Sequence, residues 1–263
     1  MRNNSTWAPS ALSPILWPDE AWNPWLVVLA AIATLVINVI PSNAYLFAYV
    51  LYARAHHIPL PDDLTHISAI QVLIAQVVSY VPLVAFLLAV LPRISHVRLA
   101  ELGIRRPTMR DLRIGIVGTV AMWLAVILSS SAIAAITHRH DLETAVGMLK
   151  DLKNPFELGL FALVACVFAP IVEELTFRVL IFNALTKYAP LAVAAVFSGI
   201  LFGAEHVILT PAAQLITVAL PLALGGIVLA YVYSISGCFW SNVTTHACFN
   251  GINVVALVFF HAT

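Results

Sequence analysis

Charge is scarce in this sequence. Of its 263 residues only 10% are Asp, Glu, Lys or Arg, thirteen of each sign, and the formal net charge is zero. A soluble domain carries about a quarter charged residues, so this chain could not cover a water-exposed surface. The neutral balance also gives no reason to expect nucleic acid as a partner. Cysteine is rare as well. Cys166, Cys238 and Cys248 lie in or beside apolar runs and form no metal-ligand spacing, so they read as small packing residues. The sequence has no His-Glu-x-x-His pair on one helix, no internal repeat and no low-complexity stretch. Residues 1–24 hold Arg2, Asp19, Glu20 and several prolines without a continuous apolar core, so they read as a polar tail rather than a signal peptide.

What is abundant is apolar. The hydrophobic share is 61% and the mean hydropathy is +0.95. A spanning helix needs about 20 apolar residues, and hydrophobic stretches occur at 25–53, 67–91, 114–136, 158–185, 189–209, 212–235 and 239–260. Pro190, Pro211 and Gly237 fall at the breaks, where helices are expected to end. The pattern predicts an all-α, polytopic transmembrane bundle of about seven spans. Six to eight fit the length, with eight if the first stretch, which contains Pro41, is a hairpin. After the tail, residues 25–263 read as a single membrane domain, with membrane lipid as its principal partner.

Six of the thirteen basic residues lie between the second and third stretches: Arg93, Arg98, Arg105, Arg106, Arg110 and Arg113. The positive-inside rule makes that loop cytoplasmic, and the N-terminus with it. The segment 137–157 then falls outside, its Arg139, Lys150 and Lys153 offset by Asp141, Glu143, Asp151 and Glu157. Within the arginine-rich loop, Leu99, Leu102 and Ile104 alternate with charges. That pattern suits either an amphipathic segment lying on an anionic leaflet or a plain charged linker.

Charges inside the apolar stretches cost several kcal/mol each, and here they are few. Glu173, Glu174 and Arg178 lie in the fourth, Glu205 and His206 in the fifth, and His246 in the seventh, joined by Asn242 and Asn250. All fall in the C-terminal half, so the first half reads as packing or lipid-facing and residues 158–260 as the core that carries chemistry. On a regular helix Glu174 and Arg178 share a face, whereas Glu173 is rotated about 100° from Glu174. Arg178 can neutralise Glu174, leaving Glu173 to face another helix as a general base. Pro170 removes a backbone hydrogen bond nearby and predicts a local kink. Gly199 and Gly203 permit close approach of a neighbouring helix, with His206 near the same face, and His246 and Asn250, four apart, share one face. Glu205 points about 100° away from His206 and reads as interfacial or supporting. A buried Glu–Arg pair, an intramembrane His or an Asn in a span is commonly structural when alone. Three such clusters in one half favour a site in which Glu173 takes a proton from water, His206 orients that water or binds a metal holding it, and His246 with Asn250 faces an oxyanion.

These residues resemble a known family. A double glutamate with arginine four after the second, then Phe-x-x-x-His, then His-x-x-x-Asn is the pattern of the CAAX-protease and bacteriocin-processing (CPBP, or Abi) family of intramembrane peptidases. This chain has Glu173, Glu174 and Arg178, Phe202 and His206, and His246 and Asn250, in that order. The segment Leu102-Gly103-Ile104-Arg105-Arg106-Pro107 is similar to a stretch that often precedes the family core. The resemblance implies an intramembrane endopeptidase acting on a peptide or membrane-protein substrate; the absence of a eukaryotic targeting signal leaves a bacterial plasma membrane as the expected location. The resemblance also implies Glu173, His206, His246 and Asn250 as catalytic residues, with Glu174 and Arg178 in support. It leaves the cofactor open: a divalent metal such as zinc, which would take Glu173, His206 and His246, or none. Two other functions compete, a non-catalytic binding or bacteriocin self-immunity protein on the same scaffold, and a proton- or metal-coupled transporter. The complete motif set speaks against the former and the missing repeats against the latter.

Overall fold

A computed structural model of the protein describes residues 17–61, 67–139, 152, 154–207 and 215–260. Among these it has seven helices in the expected order: α1 (Pro24–Ala55), α2 (Ala69–Ser95), α3 (Met109–Thr137), α4 (Pro155–Tyr188), α5 (Leu191–Glu205), α6 (Leu215–Ser236) and α7 (Phe239–Phe260). No strand occurs among the described residues. Their ends follow local chemistry. Asn23 caps α1 by accepting from the Trp25 and Leu26 N–H groups, with Pro24 in the first turn. Thr108 and Asp111 form a reciprocal capping box on α3. Asn154 and Pro155 open α4 in the same way, and Gly237, at φ 57°, ends α6.

Five of these helices, α1 to α4 and α6, are long and apolar enough to cross a membrane. The chain is an all-α integral membrane protein. The first hydrophobic stretch is one helix running through Pro41. α5, with 15 residues, spans about 22 Å at 1.5 Å per residue, less than a hydrocarbon core of about 30 Å. α7 has 22 residues but carries three asparagines and a histidine, Asn242, His246, Asn250 and Asn253. The lipid-facing surface is apolar, with Trp25, Phe47, Val117, Ile136 and Phe259 all largely exposed.

Close backbone approach fixes the half that carries the polar residues. A Cβ on Gly203 would collide with the Ala219 carbonyl, and one on Gly199 would lie 2.6 Å from the Ala223 carbonyl. The small-residue pair expected to admit a neighbouring helix therefore admits α6. On the other side α3 packs on α7, with a Gly115 Cβ meeting the Ser241 carbonyl at 2.7 Å and Thr245 Oγ1 donating to the Gly115 carbonyl at 2.8 Å.

One end of the bundle is tied together. The Trp22 N–H donates to the Ile94 carbonyl at 2.7 Å and the Phe239 N–H to the Gly103 carbonyl at 2.9 Å. Tyr188 Oη donates to the Trp22 carbonyl at 2.6 Å and Tyr233 Oη to the Leu102 carbonyl at 2.6 Å. The start of α1, the ends of α2, α4 and α6 and the start of α7 therefore share one face with the arginine-rich loop. That loop is neither a surface helix nor a free linker. It is a run of turns docked on the α6–α7 corner, with Leu102 buried and Arg105 paired to Asp111 at 2.8 Å. Of the charges expected on the opposite side, Asp141, Glu143, Lys150, Asp151 and Lys153 lie outside the described residues.

α4 is not a regular α-helix. It widens to π geometry at Val164–Phe168 and again at Leu175–Phe182. The first widening directly precedes Pro170, whose ring would clash with the carbonyl four residues back. The expected disruption at Pro170 thus takes the form of a π turn.

Candidate active site

The fully buried pair comes first. Glu174 and Arg178 are both 0% exposed, with Nε 3.2 Å from Oε2. The predicted pairing therefore forms although the intervening turn is π. Arg178 also donates from Nη2 to the Gly226 carbonyl at 3.1 Å and lies over the Phe202 ring, 4.6 Å from its centroid. Glu174 is held from α7 too. Asn242 Nδ2 donates to its Oε2 at 2.8 Å, and His246 Nδ1 lies 2.9 Å from its Oε1. A carboxylate that neutralises an arginine can only accept, so Nδ1 of His246 carries the proton in that bond.

His246 then presents Nε2 to the other glutamate. Glu173 Oε2 stands 3.6 Å from it, and the Glu173 side chain is 16% exposed where that of His246 is 4%. The two adjacent glutamates grip one imidazole from its two nitrogens, one from the dry core and one from a cavity. That cavity has a volume of about 260 Å³ and is lined by Glu173, Glu205, His206, His246 and Asn250, with Gln76 and Tyr80 from α2, Met122 from α3 and Asn253 from α7. The predicted site residues Glu173, His206, His246 and Asn250 therefore share one cavity, while Glu174 and Arg178 lie behind it.

Each remaining group is held in a definite way. His206, at the C-terminal end of α5, places Nδ1 2.8 Å from the Phe202 carbonyl. A carbonyl accepts only, so Nδ1 is the N–H in this bond. Phe202 packs between the two histidines, 4.8 Å from His206 and 5.6 Å from His246 between ring centroids. Asn250 Nδ2 donates to the Ala165 carbonyl at 2.7 Å, a carbonyl of the first π turn. This bond uses one of its two N–H groups and fixes the amide plane. Among the described residues no three His, Cys, Asp or Glu side chains are placed to hold one metal ion. The donor set Glu173, His206 and His246 thus does not fit a metal as it stands.

Three features escaped sequence reasoning. Asn242 binds Glu174, and its place four residues before His246, on the same helix face, was the available signal. Glu205, read as interfacial or supporting, lines this cavity and has one buried carboxylate oxygen with no hydrogen-bond partner among the described residues. The half read as mere packing supplies part of the wall through α2. Tyr80, together with Glu173 and Glu205, also borders a second, more apolar cavity of about 260 Å³ between α1, α4 and α5. Neither Gln76 nor Tyr80 carries a charge or a motif that would have marked it.

Residues 155–252 match the Rce1-like family model. Its description is "Type II CAAX prenyl endopeptidase Rce1-like". The Rce1-like stretch runs from the first turn of α4 to Gly251, taking in Glu173, Glu174, Arg178, Phe202, His206, His246 and Asn250. The resemblance read from the three motifs is borne out there. No curated protein and no solved structure matches the chain. At the level of the Rce1-like family, the match supports a CAAX-type intramembrane protease.

Proposed function

We propose that this protein is an intramembrane endopeptidase that hydrolyses a peptide bond with water activated by Glu173. The observation that carries the reading is the Glu174–His246–Glu173 chain at the wall of a cavity that also holds His206 and Asn250. Glu173, at the cavity wall, takes the proton from water. His206, with Nδ1 committed to Phe202, offers Nε2 as the acceptor that orients that water. Its Nδ1 committed to Glu174, His246 meets Glu173 through Nε2. A proton passed across that 3.6 Å gap turns the ring into a cation and Nε2 into a donor as the oxyanion forms. The second N–H of Asn250 supplies another donor. In a cavity lined largely by apolar side chains such dipoles are worth more than in solution. No step is routed through a metal, because the donor set does not fit one.

By the positive-inside rule the arginine-rich face, which the start of α1 shares, is read as cytoplasmic. Lys187 adds to that face, donating to the Asp19 carbonyl at 2.6 Å. The test of the activity is incubation of the purified protein with a library of membrane peptides, with and without a chelator. Cleavage that survives the chelator is expected. Cleavage abolished by the chelator and restored by zinc would overturn the metal-free reading, and no cleavage under either condition would favour a binding or immunity role.

A further inference from the structure

The catalytic cavity extends towards one end of the bundle only. From Glu173 and His246 it runs past Gln76 to Leu73 on α2 and past Asn253 on α7. α2 begins at Ala69 and α7 ends at Phe260. Leu73 and Asn253 therefore lie about 6 and 10 Å from those helix ends at 1.5 Å per residue. Both ends are remote from the arginine-rich face, since it is the end of α2 and the start of α7 that are bonded to it. On the arginine side the buried apolar cluster containing Leu102, Phe182 and Phe239 intervenes.

Two side chains on that side of the cavity differ from the other described amides of the bundle. Asn183, Asn242 and Asn250 all donate to protein acceptors. Gln76 and Asn253 line the cavity, and their side-chain amides have no hydrogen-bond partner among the described residues; Ser79 Oγ donates to the Gln76 backbone carbonyl at 2.8 Å. A primary amide carries donors and an acceptor together, the complement of a peptide group, and an unmatched one in an apolar setting is costly.

We propose that Gln76 and Asn253 form a substrate subsite that pairs with the N–H and C=O groups of an extended peptide entering from the face opposite the arginine cluster. With that cluster cytoplasmic, the substrate is an extracytoplasmic peptide segment. The substrate class rests on the peptidase reading; the side of entry rests on the geometry and the orientation.

Two measurements test this. In the first, Gln76→Cys and Asn253→Cys are made with Cys166, Cys238 and Cys248 replaced by serine. A membrane-impermeant methanethiosulfonate is then applied to right-side-out and inverted vesicles from an expressing bacterium. Modification in right-side-out vesicles alone is expected. Modification only in inverted vesicles, or in neither, overturns the side of entry. In the second, a fluorescein-labelled library of short peptides is titrated onto the Glu173→Gln protein in detergent. Gln76→Leu or Asn253→Leu in that background is expected to weaken binding about tenfold, the size of one or two lost hydrogen bonds. No binding to the Glu173→Gln protein, or equal binding by the leucine variants, overturns the subsite. If both measurements come out as expected while the wild-type protein cuts none of these peptides, the peptidase reading fails and the subsite stands.

Discussion

Replacing Arg178 with alanine is predicted to destabilise the fold severely. The guanidinium is fully buried, 3.2 Å from an equally buried Glu174, bonded to the Gly226 carbonyl and stacked on Phe202. Its removal leaves Glu174 with only the neutral donors Asn242 and His246, and frees a carbonyl of α6. Breaking a buried ion pair by deleting one partner costs about 3–5 kcal/mol. The folded-to-unfolded ratio should therefore fall by a factor of about a hundred to several thousand. The assay is graded SDS or thermal unfolding of the purified protein in detergent. A second variant separates charge from packing. Glu174→Gln with Arg178→Met removes both charges while the methionine keeps contact with Phe202, and it should regain most of the lost stability. An Arg178→Ala protein that unfolds at the wild-type midpoint would refute the reasoning, as would a double variant less stable than the single one.

Gly203→Ala should lower stability by about 1–3 kcal/mol in the same assay, the usual size of an overpacking penalty, because the new methyl meets the Ala219 carbonyl and the Ala223 nitrogen on α6. Asn250→Ala should reduce turnover by about a hundredfold or more if its free N–H serves the oxyanion; a rate within threefold of wild type would remove it from the mechanism. A reporter fused after Arg106 should read cytoplasmic, and a reading outside would reverse both the orientation and the proposed side of substrate entry.

The fold class was legible because lipid imposes a simple rule: long apolar stretches separated by Pro, Gly and charge must be helices. Every predicted stretch corresponds to a helix, with ends moved by a few residues to where a cap such as Asn154 or Thr108 could act. The half that carries the polar cavity was legible because charge in hydrocarbon is costly enough to be kept for a purpose. Reading Glu174 as Arg178's partner succeeded because the two side chains meet even across a π turn. What could not be read was anything set by helix-to-helix placement. Gln76 and Tyr80 on α2 look like ordinary residues of an apolar span until α2 is packed beside α4. Glu205 seemed to point away from His206 because neighbours on a helix diverge by about 100°, yet the cavity is wide enough to take in both. The docking of Leu102 beneath Tyr233 depends on a contact between residues 131 apart, which local periodicity cannot reveal.

The central claim is that Glu173 is the base, and Glu173→Gln measures it most directly. The amide keeps the shape of the side chain and cannot take a proton from water. General base catalysis contributes about 10² to 10⁴ in rate. Peptide turnover by this variant is therefore predicted to fall by that factor, while its unfolding midpoint and its peptide affinity stay close to those of the wild-type protein. Wild-type turnover in a folded Glu173→Gln protein would contradict the account and leave the polar cluster as a recognition site.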